Sequence, residues 1–263
     1  MLSPLAGVLG FPVTHSRSPA MMTAAFAALG LEEWRYLRLP IAPERFAATA
    51  RALPSSGYRG ANVTIPHKVA AHALADELGE AAAAIGAVNT LSFEPDGSIR
   101  GDNTDAGGLI DALGGPAAVP ASALVLGAGG AGRAAAWALR EAGADVEVWN
   151  RTPERAAQLA AELEIRHTLE PGPTDLLVNA TSVGLDPGAS ADDLPLVETA
   201  SVVDLVYGAS PTPVIRWATE RSAQTVDGLE VLVRQGALSL ELWTGRVAPL
   251  EIMREAATRA SLS

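Results

Sequence analysis

The sequence predicts an α/β protein with two domains, and three observations support this prediction. The chain has 263 residues, which exceeds the common size of a single domain. Short apolar segments alternate with segments of helical pattern, as is typical of mostly parallel sheets flanked by helices. A glycine loop of the form G-x-G-x-x-G, residues 127–132, follows an apolar strand and precedes a helix, which predicts a Rossmann-like second domain.

The part of the chain before the glycine loop predicts a first α/β domain. Ser18 followed by Pro19 marks the start of its first helix, and Gly30 marks the end. The predicted strands are Leu5–Leu9, Trp34–Leu39, Gly60–Ile65 and Ala87–Phe93, and the predicted helices are Ala20–Leu29, Pro43–Leu53 and Val69–Leu78. Strands that alternate with helices in this way favour a mostly parallel sheet.

The remainder predicts a nucleotide-binding domain followed by helices. A breaker at 114–116, Gly-Gly-Pro, separates a first helix from the strand before the glycine loop. The predicted strands are Ala123–Leu126, Asp145–Trp149, Leu176–Asn179 and Val202–Val206, and the predicted helices are Thr104–Leu113 and Arg133–Ala142. The segment from Asp227 to Ser263 predicts two helices separated at Thr244–Pro249.

Composition excludes several classes of function. A net charge of −11 disfavours nucleic-acid binding by general phosphate attraction. With no cysteine, the chain has no disulfide, thiolate nucleophile or zinc–thiolate site. His, Asp and Glu residues show no metal-ligand spacing, so we expect no metal. There is no signal-peptide pattern and no apolar run of about 18 residues, so we expect no membrane span and a cytoplasmic location.

The glycine loop has the spacing that a dinucleotide requires. The first glycine permits a tight turn, the second lets the backbone approach a pyrophosphate, and the third lets helix and strand pack closely. The residues predicted to bind the cofactor here are Gly127, Ala128, Gly129, Gly130 and Ala131, ahead of Gly132. The alternative is a plain strand-to-helix turn in a chain rich in alanine and glycine.

The end of the next strand favours NADP over NAD. An NAD enzyme usually carries Asp or Glu there, whereas this chain has Asn150, Arg151 and Thr152, with Arg155 four residues after Arg151. Two guanidinium groups suit a ribose 2′-phosphate by charge and by geometry. The alternative is that Arg155 is a solvated helix residue paired with Glu154 or Glu162.

An ordered series of motifs closely resembles the shikimate dehydrogenase family over nearly the whole chain. Each motif alone could arise by chance, but the ordered series is highly specific. The motifs are 10–19 (GFPVTHSRSP), 62–68 (NVTIPHK), 86–90 (GAVNT), 101–105 (GDNTD), 150–152 (NRT), 179–184 (NATSVG), 204–207 (DLVY), 227–229 (DGL) and 235–237 (QGA).

The resemblance implies that Lys68 and Asp105 form the catalytic pair. Reduction of a ketone requires a proton at the carbonyl oxygen as hydride arrives, and a lysine ammonium can stabilise the developing alkoxide and supply that proton. A carboxylate would orient the amine and favour its charged form. Without its surrounding motif, Lys68 would be interpreted as a surface lysine at a helix start.

The resemblance also implies the binding residues. Ser16 and Ser18 offer hydroxyls to a substrate carboxylate, although Ser18 could serve only as an N-cap. Tyr207 matches a position near that carboxylate and the cofactor, although it could be a core tyrosine. The positions matching substrate-hydroxyl contacts are Asn62, Thr64, Asn89, Asp105 and Gln235, and those lining the cofactor are Thr181, Ser182, Val206 and Gly228.

The implied activity is reversible, NADPH-dependent reduction of 3-dehydroshikimate to shikimate in aromatic amino-acid (chorismate) biosynthesis. Residues 1–104 and 228–263 would form the substrate domain, with the C-terminal helices returning to it, and residues 105–227 the NADP domain. Open alternatives are a quinate/shikimate dehydrogenase using NAD or NADP, an aminoshikimate relative and a non-catalytic sensor. We expect a monomer or a homodimer.

Two histidines and two departures from the family pattern complete the interpretation. His15 and His67 are set aside as acid–base groups, because the family pattern does not require a histidine proton donor at either position. The family commonly has His-Asn where this chain has Met22-Thr23. The segment 207–213 lacks a proline often found two residues after the tyrosine. Neither departure removes a predicted catalytic group.

Overall fold

The computed structural model describes residues 3–185, 188, 190–208 and 211–260. Among these, tertiary contacts divide the chain into two compact units. The first unit runs up to Thr104 and resumes at Val233, and the second unit is Asp105–Leu232. The first unit thus resumes five residues after the predicted boundary at 228, inside a continuous helix. The assignment of substrate and cofactor roles to residue ranges stays a prediction.

Twelve strands and ten α-helices lie within the described ranges. The strands are β1 Leu5–Gly10, β2 Arg35–Pro40, β3 Tyr58–Val63, β4 Glu77–Leu78, β5 Thr90–Phe93, β6 Ile99–Asp102, β7 Ser122–Leu126, β8 Asp145–Trp149, β9 Arg166–His167, β10 Thr174–Asn179, β11 Thr199–Asp204 and β12 Gln224–Val226. The helices are α1 Ser18–Ala28, α2 Phe46–Ala52, α3 Lys68–Leu74, α4 Glu80–Ile85, α5 Thr104–Leu113, α6 Gly130–Glu141, α7 Pro153–Leu163, α8 Pro213–Glu220, α9 Gly228–Thr244 and α10 Leu250–Arg259. None of the described helices is both long and apolar enough to cross a membrane.

The sheet of the first unit has the strand order β2-β1-β3-β5-β6-β4. Strands β2, β1 and β3 pair in parallel, as do β4 and β6, whereas β5 is antiparallel to both of its neighbours. Parallel pairing sends the chain across through α1 and α2 and brings the ends of β1 and β3 to the same edge. The loops at that edge contain the serine motif and the motif around Lys68.

The core of the first unit relies on a few large side chains. Leu9, Phe46, Val63, Leu91 and Ile99 are buried together on one face of the sheet. Elsewhere in the first unit, α1 packs against α10. This contact attaches the C-terminal helix α10 to the N-terminal part of the chain.

The C-terminal helices approach α1 closely at one glycine. A Cβ at Gly236 of α9 would overlap the end of the Met21 side chain and lie 3.7 Å from that of Met253. Met22, part of one of the two departures from the family pattern, is fully buried and so occupies a core position.

The second unit contains one parallel sheet with the order β12-β11-β10-β7-β8-β9. The chain starts in the middle at β7, runs outward through β8 and β9, and returns through β10 to β12 on the other side. This reversal of direction is the switch point at which α/β sheets bind ligands. The predicted Rossmann-like fold is confirmed.

Alanine sets the packing of the second unit. Strand β7 is a run of Ala, Leu, Val and Leu after Ser122 and is buried from Ala123 to Leu126, as expected of a strand covered on both faces. Helix α6 buries Ala134, Ala135, Ala136, Ala138 and Leu139. Small side chains on this face let the helix lie close to the sheet, which offsets the scarcity of aromatic residues.

Several predicted elements needed correction. The predicted helix 69–78 ends at Leu74 and is followed by the short strand β4. The predicted strand 87–93 starts only at Thr90, and the predicted strand 202–206 is β11, which ends at Asp204. The sequence interpretation did not include α4, β6, β9, α8 or β12. Most of these are short, and elements of two to six residues carry too few positions for a clear period.

We predict that Gly132→Ala destabilises the second unit by about 3 kcal/mol. A Cβ at Gly132 would overlap the carbonyl oxygen of Gly127, a backbone atom that cannot rotate away. The free energy of unfolding, measured by urea denaturation, checks this expectation.

Gly129→Ala is the matched control within the same loop. Gly129 has φ −83° and ψ −175°, and no described heavy atom would lie within 4 Å of an added Cβ. Its replacement should leave the free energy of unfolding within about 0.5 kcal/mol of the parent value. Equal losses in the two variants would show that close packing at Gly132 is not the reason for a glycine there.

Candidate active site

Both predicted carboxylate-binding serines are buried at the start of α1. Ser16 and Ser18 expose only 7% and 5% of their surfaces, and the N–H of Ser18 donates to Oγ of Ser16 over 3.3 Å. Helix α1 begins at Ser18, its N-cap is Arg17, and no side chain caps it. The alternative in which Ser18 serves only as an N-cap is therefore wrong.

Arg38 holds this serine loop from the neighbouring strand, and sequence analysis did not identify it. Its Nε and Nη2 donate to the main-chain carbonyl oxygen of Ser16 over 3.1 and 2.7 Å. A planar guanidinium that donates two hydrogen bonds to one carbonyl fixes the direction of the loop. It also adds a positive charge beside hydroxyls predicted to receive a carboxylate, in a chain of net charge −11.

Three predicted substrate-binding amides form one buried cluster. Asn62, Asn89 and Gln235 expose 7%, 2% and 8% of their surfaces. The Asn89 amide donates to Oε1 of Gln235 over 3.1 Å, and its Oδ1 accepts the N–H of Thr104 at 2.7 Å. The amide also donates to Oγ1 of Thr104 over 2.9 Å. The N–H of Thr104 can only donate, so its bond to Oδ1 indicates which end of Asn89 carries the oxygen.

A second layer of polar groups holds the amide cluster. Ser239 and Thr90 are fully buried, and the Ser239 hydroxyl lies 2.8 Å from Nδ2 of Asn62 and 2.8 Å from Oγ1 of Thr90. Tyr36 of β2 donates its hydroxyl hydrogen to Oδ1 of Asn62 over 2.7 Å. These bonds join β2, β3, β5 and α9, so that residues distant in sequence orient Asn62.

Sequence analysis missed Tyr36, Thr90 and Ser239. Ser239 lies four residues after Gln235 on a helix, and this spacing on one helical face was a readable signal. Thr90 belongs to the GAVNT motif but was not assigned a role. The contact of Tyr36 with Asn62 had no sequence signal, because it depends on the pairing of β2 with β1 and of β1 with β3.

Lys68 is the first residue of α3 and is half-buried. Its carbonyl oxygen accepts the N–H of Val88 at 2.9 Å, which links the start of α3 to the residue before Asn89. Lys68 is also the only lysine of the chain, in which the other 18 basic side chains are arginines. Asp105 lies half-buried in the first turn of α5, directly after Thr104. Lys68 belongs to the first unit and Asp105 to the second, and their pairing stays a prediction.

The residues around Lys68 are held firmly. His67 is 1% exposed, its Nε2 lies 2.7 Å from the carbonyl oxygen of Ile41, and its ring stacks on Phe46 with the centroids 4.5 Å apart. His67 therefore serves to pack the start of α3. Thr64 is half-buried, and its N–H donates to the carbonyl of Leu9 over 2.8 Å.

The glycine loop of the second unit has the geometry predicted for it. Gly127 has φ +111°, and a Cβ there would lie 2.8 Å from the carbonyl oxygen of Ala180. Helix α6 begins at Gly130 after the N-cap Gly129, and no side chain caps it. The first N–H groups of α6 therefore have no side-chain acceptor, a feature that is typical of helix starts in phosphate-binding sites.

Asn150 connects the glycine loop to the end of β8. Its Oδ1 accepts the N–H of Ala128 at 3.1 Å, and its Nδ2 donates to the carbonyl of Thr152 over 3.0 Å. The side chain thus fixes the backbone at a position where NAD enzymes carry an acid.

Arg151 and Arg155 are exposed beside this loop. Over the described ranges of the chain, neither guanidinium makes an ion pair or a hydrogen bond. Glu162, the proposed alternative partner of Arg155, instead binds Arg133 at 2.5 Å, and this bond lowers the pKa of Glu162. The alternative in which Glu162 pairs with Arg155 is wrong.

The remaining predicted cofactor residues lie on the loops after β10 and β11. Thr181 and Ser182 follow β10, and Val206 and Tyr207 follow β11. A Cβ at Gly228 would lie 2.6 Å from the carbonyl oxygen of Val206, so the start of α9 touches the β11 loop. The structure therefore brings Val206 and Gly228 together. Ala209, which stands where the family often has its proline, lies outside the described residues.

A buried carboxylate lies between these two loops. Asp204 is fully buried and accepts hydrogen bonds from Asn179, Thr212 and the N–H of Val206. Burial raises the pKa of Asp204 above its usual range, and the three hydrogen bonds oppose that rise. In the described part of the chain, no group of three or more His, Asp and Glu residues could hold a metal ion.

Comparisons with known protein families agree with this arrangement. The model of the shikimate dehydrogenase substrate binding domain matches residues 8–91, and that of the shikimate 5′-dehydrogenase C-terminal domain matches residues 228–258. The model of the alanine dehydrogenase/PNT C-terminal domain matches residues 102–218, which include the glycine loop. The three matches follow the order of the first unit, the second unit and the C-terminal helices.

Similar proteins cover the full chain. An NADP(+) shikimate dehydrogenase of Thermus thermophilus is 49% identical over 96% of this chain and 97% of its own length. The structure of a shikimate 5-dehydrogenase from the same species, in complex with NADP(H) and shikimate, is 45% identical, with a TM-score of 0.87 over 99% of this chain and 100% of that one. The ligand-free 5-ketofructose reductase of a Gluconobacter strain is 30% identical, with a TM-score of 0.83 over 98% of each chain. This chain belongs to the shikimate dehydrogenase family.

Proposed function

We propose that the chain catalyses the reversible, NADPH-dependent reduction of 3-dehydroshikimate to shikimate, a step of aromatic amino-acid (chorismate) biosynthesis. The observation that carries the proposal is the buried cluster of Asn62, Asn89 and Gln235 in the unit matched by the family's substrate-binding model. Amides offer both donors and acceptors, as a ring with several hydroxyls requires. A site built of such groups rejects analogues that leave them unpaired.

Substrate binding begins with the carboxylate. Ser16 and Ser18 receive it through their hydroxyls at the start of α1, where the helix dipole favours negative charge. Tyr207 contributes from the β11 loop, and Thr64 contacts the ring hydroxyls beside Asn62. Neutral donors, a helix terminus and the nearby Arg38 thus hold an anion in an acidic chain.

The chemical step requires one hydride and one proton. Bound NADPH supplies the hydride, with its electron pair, to the ketone carbon. Lys68 donates a proton to the carbonyl oxygen, so that the carbonyl becomes the hydroxyl of shikimate and the amine becomes neutral. Asp105 orients the amine and favours its charged form. In the reverse direction the neutral amine accepts the hydroxyl proton.

The choice of lysine at position 68 supports this role. Every other basic side chain, histidine aside, is an arginine, whose guanidinium stays protonated at any relevant pH. A lysine amine can donate a proton in one direction of a reaction and accept it in the other. The one titratable side-chain amine stands at the position where the reaction requires proton transfer.

The second unit supports NADP as the cofactor. Gly127, Ala128, Gly129, Gly130 and Ala131 would hold the pyrophosphate at the start of α6. Asn150, Arg151, Thr152 and Arg155 would surround the adenosine ribose, and the guanidinium groups of Arg151 and Arg155, which bind no other described residue, suit a 2′-phosphate. Thr181, Ser182, Val206 and Gly228 would line the nicotinamide end of the cofactor.

The roles of the two parts of the chain, its assembly and its location are further parts of the proposal. We assign residues 1–104 and 228–263 to substrate binding and residues 105–227 to NADP. We expect a monomer or a homodimer, no nucleic-acid partner and a cytoplasmic location.

The purified chain should oxidise shikimate with NADP at least about tenfold faster, in kcat/KM, than it oxidises quinate, and faster than it oxidises shikimate with NAD. Spectrophotometric rates with both substrates and both cofactors check this expectation. The rate of 5-ketofructose reduction should also be measured, because a structure that is 30% identical to this chain is that of a 5-ketofructose reductase. A higher kcat/KM with quinate or 5-ketofructose, or no oxidation of shikimate at any pH, would contradict the proposed substrate.

Lys68→Met should lower kcat by about 10²–10⁴-fold while it leaves NADP affinity within about twofold of the parent value, because the proton donor is lost and the cofactor half is untouched. Steady-state rates and calorimetric titration with NADP are the measurements. Full turnover by Lys68→Met would contradict the role assigned to Lys68.

Lys68→Arg separates charge from proton transfer. It keeps a positive charge but cannot deprotonate, so its kcat should stay as low as that of Lys68→Met. Because Lys68 is the only lysine, an amine-selective reagent labels just this side chain and the chain terminus. Shikimate should therefore protect a single internal peptide from labelling, as mass spectrometry would report.

Arg151→Gln and Arg155→Gln should each lower the ratio of kcat/KM with NADP to kcat/KM with NAD by about tenfold, since each removes one charge-assisted contact to the 2′-phosphate. Rates with the two cofactors at fixed shikimate provide the ratio. Arg166→Gln is the control, because Arg166 is exposed on β9 and pairs with Asp145 and Glu147 at the opposite end of the same sheet. An unchanged ratio in both test variants would mean that other residues select the cofactor.

A further inference from the structure

Asp204 is the only acidic residue within the described part of the chain whose side chain is buried. It is the last residue of β11 and has no exposed surface. Burial of a carboxylate is costly unless hydrogen bonds replace its water. The proposed chemistry uses no carboxylate at this position, so the presence of a buried carboxylate requires another explanation.

The Asp204 carboxylate accepts three hydrogen bonds from three separate segments. Oδ1 accepts Nδ2 of Asn179 at 2.8 Å and the N–H of Val206 at 3.1 Å. Oδ2 accepts the hydroxyl of Thr212 at 2.5 Å. Asn179 ends β10, Val206 is the second residue of the loop after β11, and Thr212 is the N-cap of α8. One side chain thus joins both ends of the β11 loop to the neighbouring strand.

The network continues into the loop after β10. Oδ1 of Asn179 accepts the N–H of Thr181 at 3.1 Å and its hydroxyl at 2.7 Å. The hydroxyl oxygen of Thr181 in turn accepts the N–H of Val183 at 3.1 Å. Because Asp204 takes the donor end of the Asn179 amide, the acceptor end must face Thr181. The orientation of the β10 loop therefore depends on Asp204 through one amide.

We propose that Asp204 is a positioning residue that sets the two loops carrying Thr181, Val206 and Tyr207. This inference rests on the proposed function, which assigns these loops to the cofactor and the substrate. The inference adds that the carboxylate of Asp204, at the end of β11, fixes the geometry of both loops. Gly228 limits the same loop from the other side, because a Cβ there would lie 2.6 Å from the carbonyl oxygen of Val206.

A carboxylate suits this position better than an amide of the same shape. All three partners of Asp204 donate, and an ionised carboxylate is the side chain that only accepts. An asparagine would turn an NH2 group toward Thr212, whose hydroxyl oxygen already accepts the N–H of Ile215 at 3.2 Å. The Thr212 hydroxyl would then lose its acceptor, and α8 would no longer hold the end of the loop.

The test compares Asp204→Asn with Asp175→Asn. Asp175 lies at the other end of the same sheet, where its Oδ2 accepts the N–H and the hydroxyl of Ser122 at 3.0 and 2.8 Å. Both substitutions replace a carboxylate that joins two segments of the second unit, but only one lies beneath the predicted cofactor loops. Thr212→Val and Thr212→Ser form a second pair, since valine removes the hydroxyl and serine keeps it.

Asp204→Asn and Thr212→Val should raise the KM and the Kd for NADP by about tenfold, with a smaller change in kcat. Thr212→Ser and Asp175→Asn should keep both values within about twofold of the parent values. Steady-state kinetics and calorimetric titration with NADP provide the values, and urea denaturation reports the stability of each variant. If Asp204→Asn fails to fold, the comparison of Thr212→Val with Thr212→Ser tests the inference.

Two results would overturn the inference. One is an Asp204→Asn variant whose KM and Kd match those of Asp175→Asn. The other is a Thr212→Val variant that binds NADP as Thr212→Ser does. A parent protein that binds NADP but does not oxidise shikimate would contradict the proposed function instead, and calorimetry would still test the loop positions.

Discussion

Parallel pairing of strands is the constraint that brings together most of the loops predicted to bind ligands in each unit. In a parallel sheet the carboxyl ends of neighbouring strands meet at one edge, and the loops that leave those ends lie side by side. A short motif can therefore act in concert with another motif that lies far along the chain. Many predicted site residues follow such a strand end, among them Ser16 after β1, Lys68 after β3, Gly127 after β7, Asn150 after β8, Thr181 after β10 and Val206 after β11.

An acidic chain that handles two anionic ligands must place its few favourable charges carefully. The net charge of −11 gives no general attraction for a carboxylate or a phosphate. The structure instead contains local groups that favour anions. Helices α1 and α6 start without side-chain caps, and the guanidinium of Arg38 contacts the serine loop. Two exposed arginines beside the glycine loop pair with no described residue. Short-range donors of this kind provide binding that net charge cannot, because their energy depends on contact geometry.

Sequence predicted the parts of the molecule whose signals are local. The glycine loop, the residues 150–152 and the strand–helix alternation each follow from spacing along a short segment, and the motif series identified the family. The contacts around Asn62 were not predictable in this way, although the four-residue spacing of Gln235 and Ser239 on α9 was a local signal. Asn62 and Ser239 are separated by 177 positions, and Tyr36 reaches Asn62 only because β1 lies between β2 and β3. Tertiary pairing, which spacing does not encode, creates these contacts.

The two half-sites use different kinds of buried polar group, and the difference has a physical consequence. The amide cluster of the first unit is held by hydroxyls on Thr90, Thr104 and Ser239, each of which can donate or accept. Such a network can reverse its donors when a polyol takes or offers a hydrogen. In the second unit the carboxylate of Asp204 only accepts and therefore permits one arrangement of its partners. Under the proposed function, the adjustable network of the first unit would serve a ring with several interchangeable hydroxyls, and the fixed network of the second unit would hold the loops at the nicotinamide end of the cofactor.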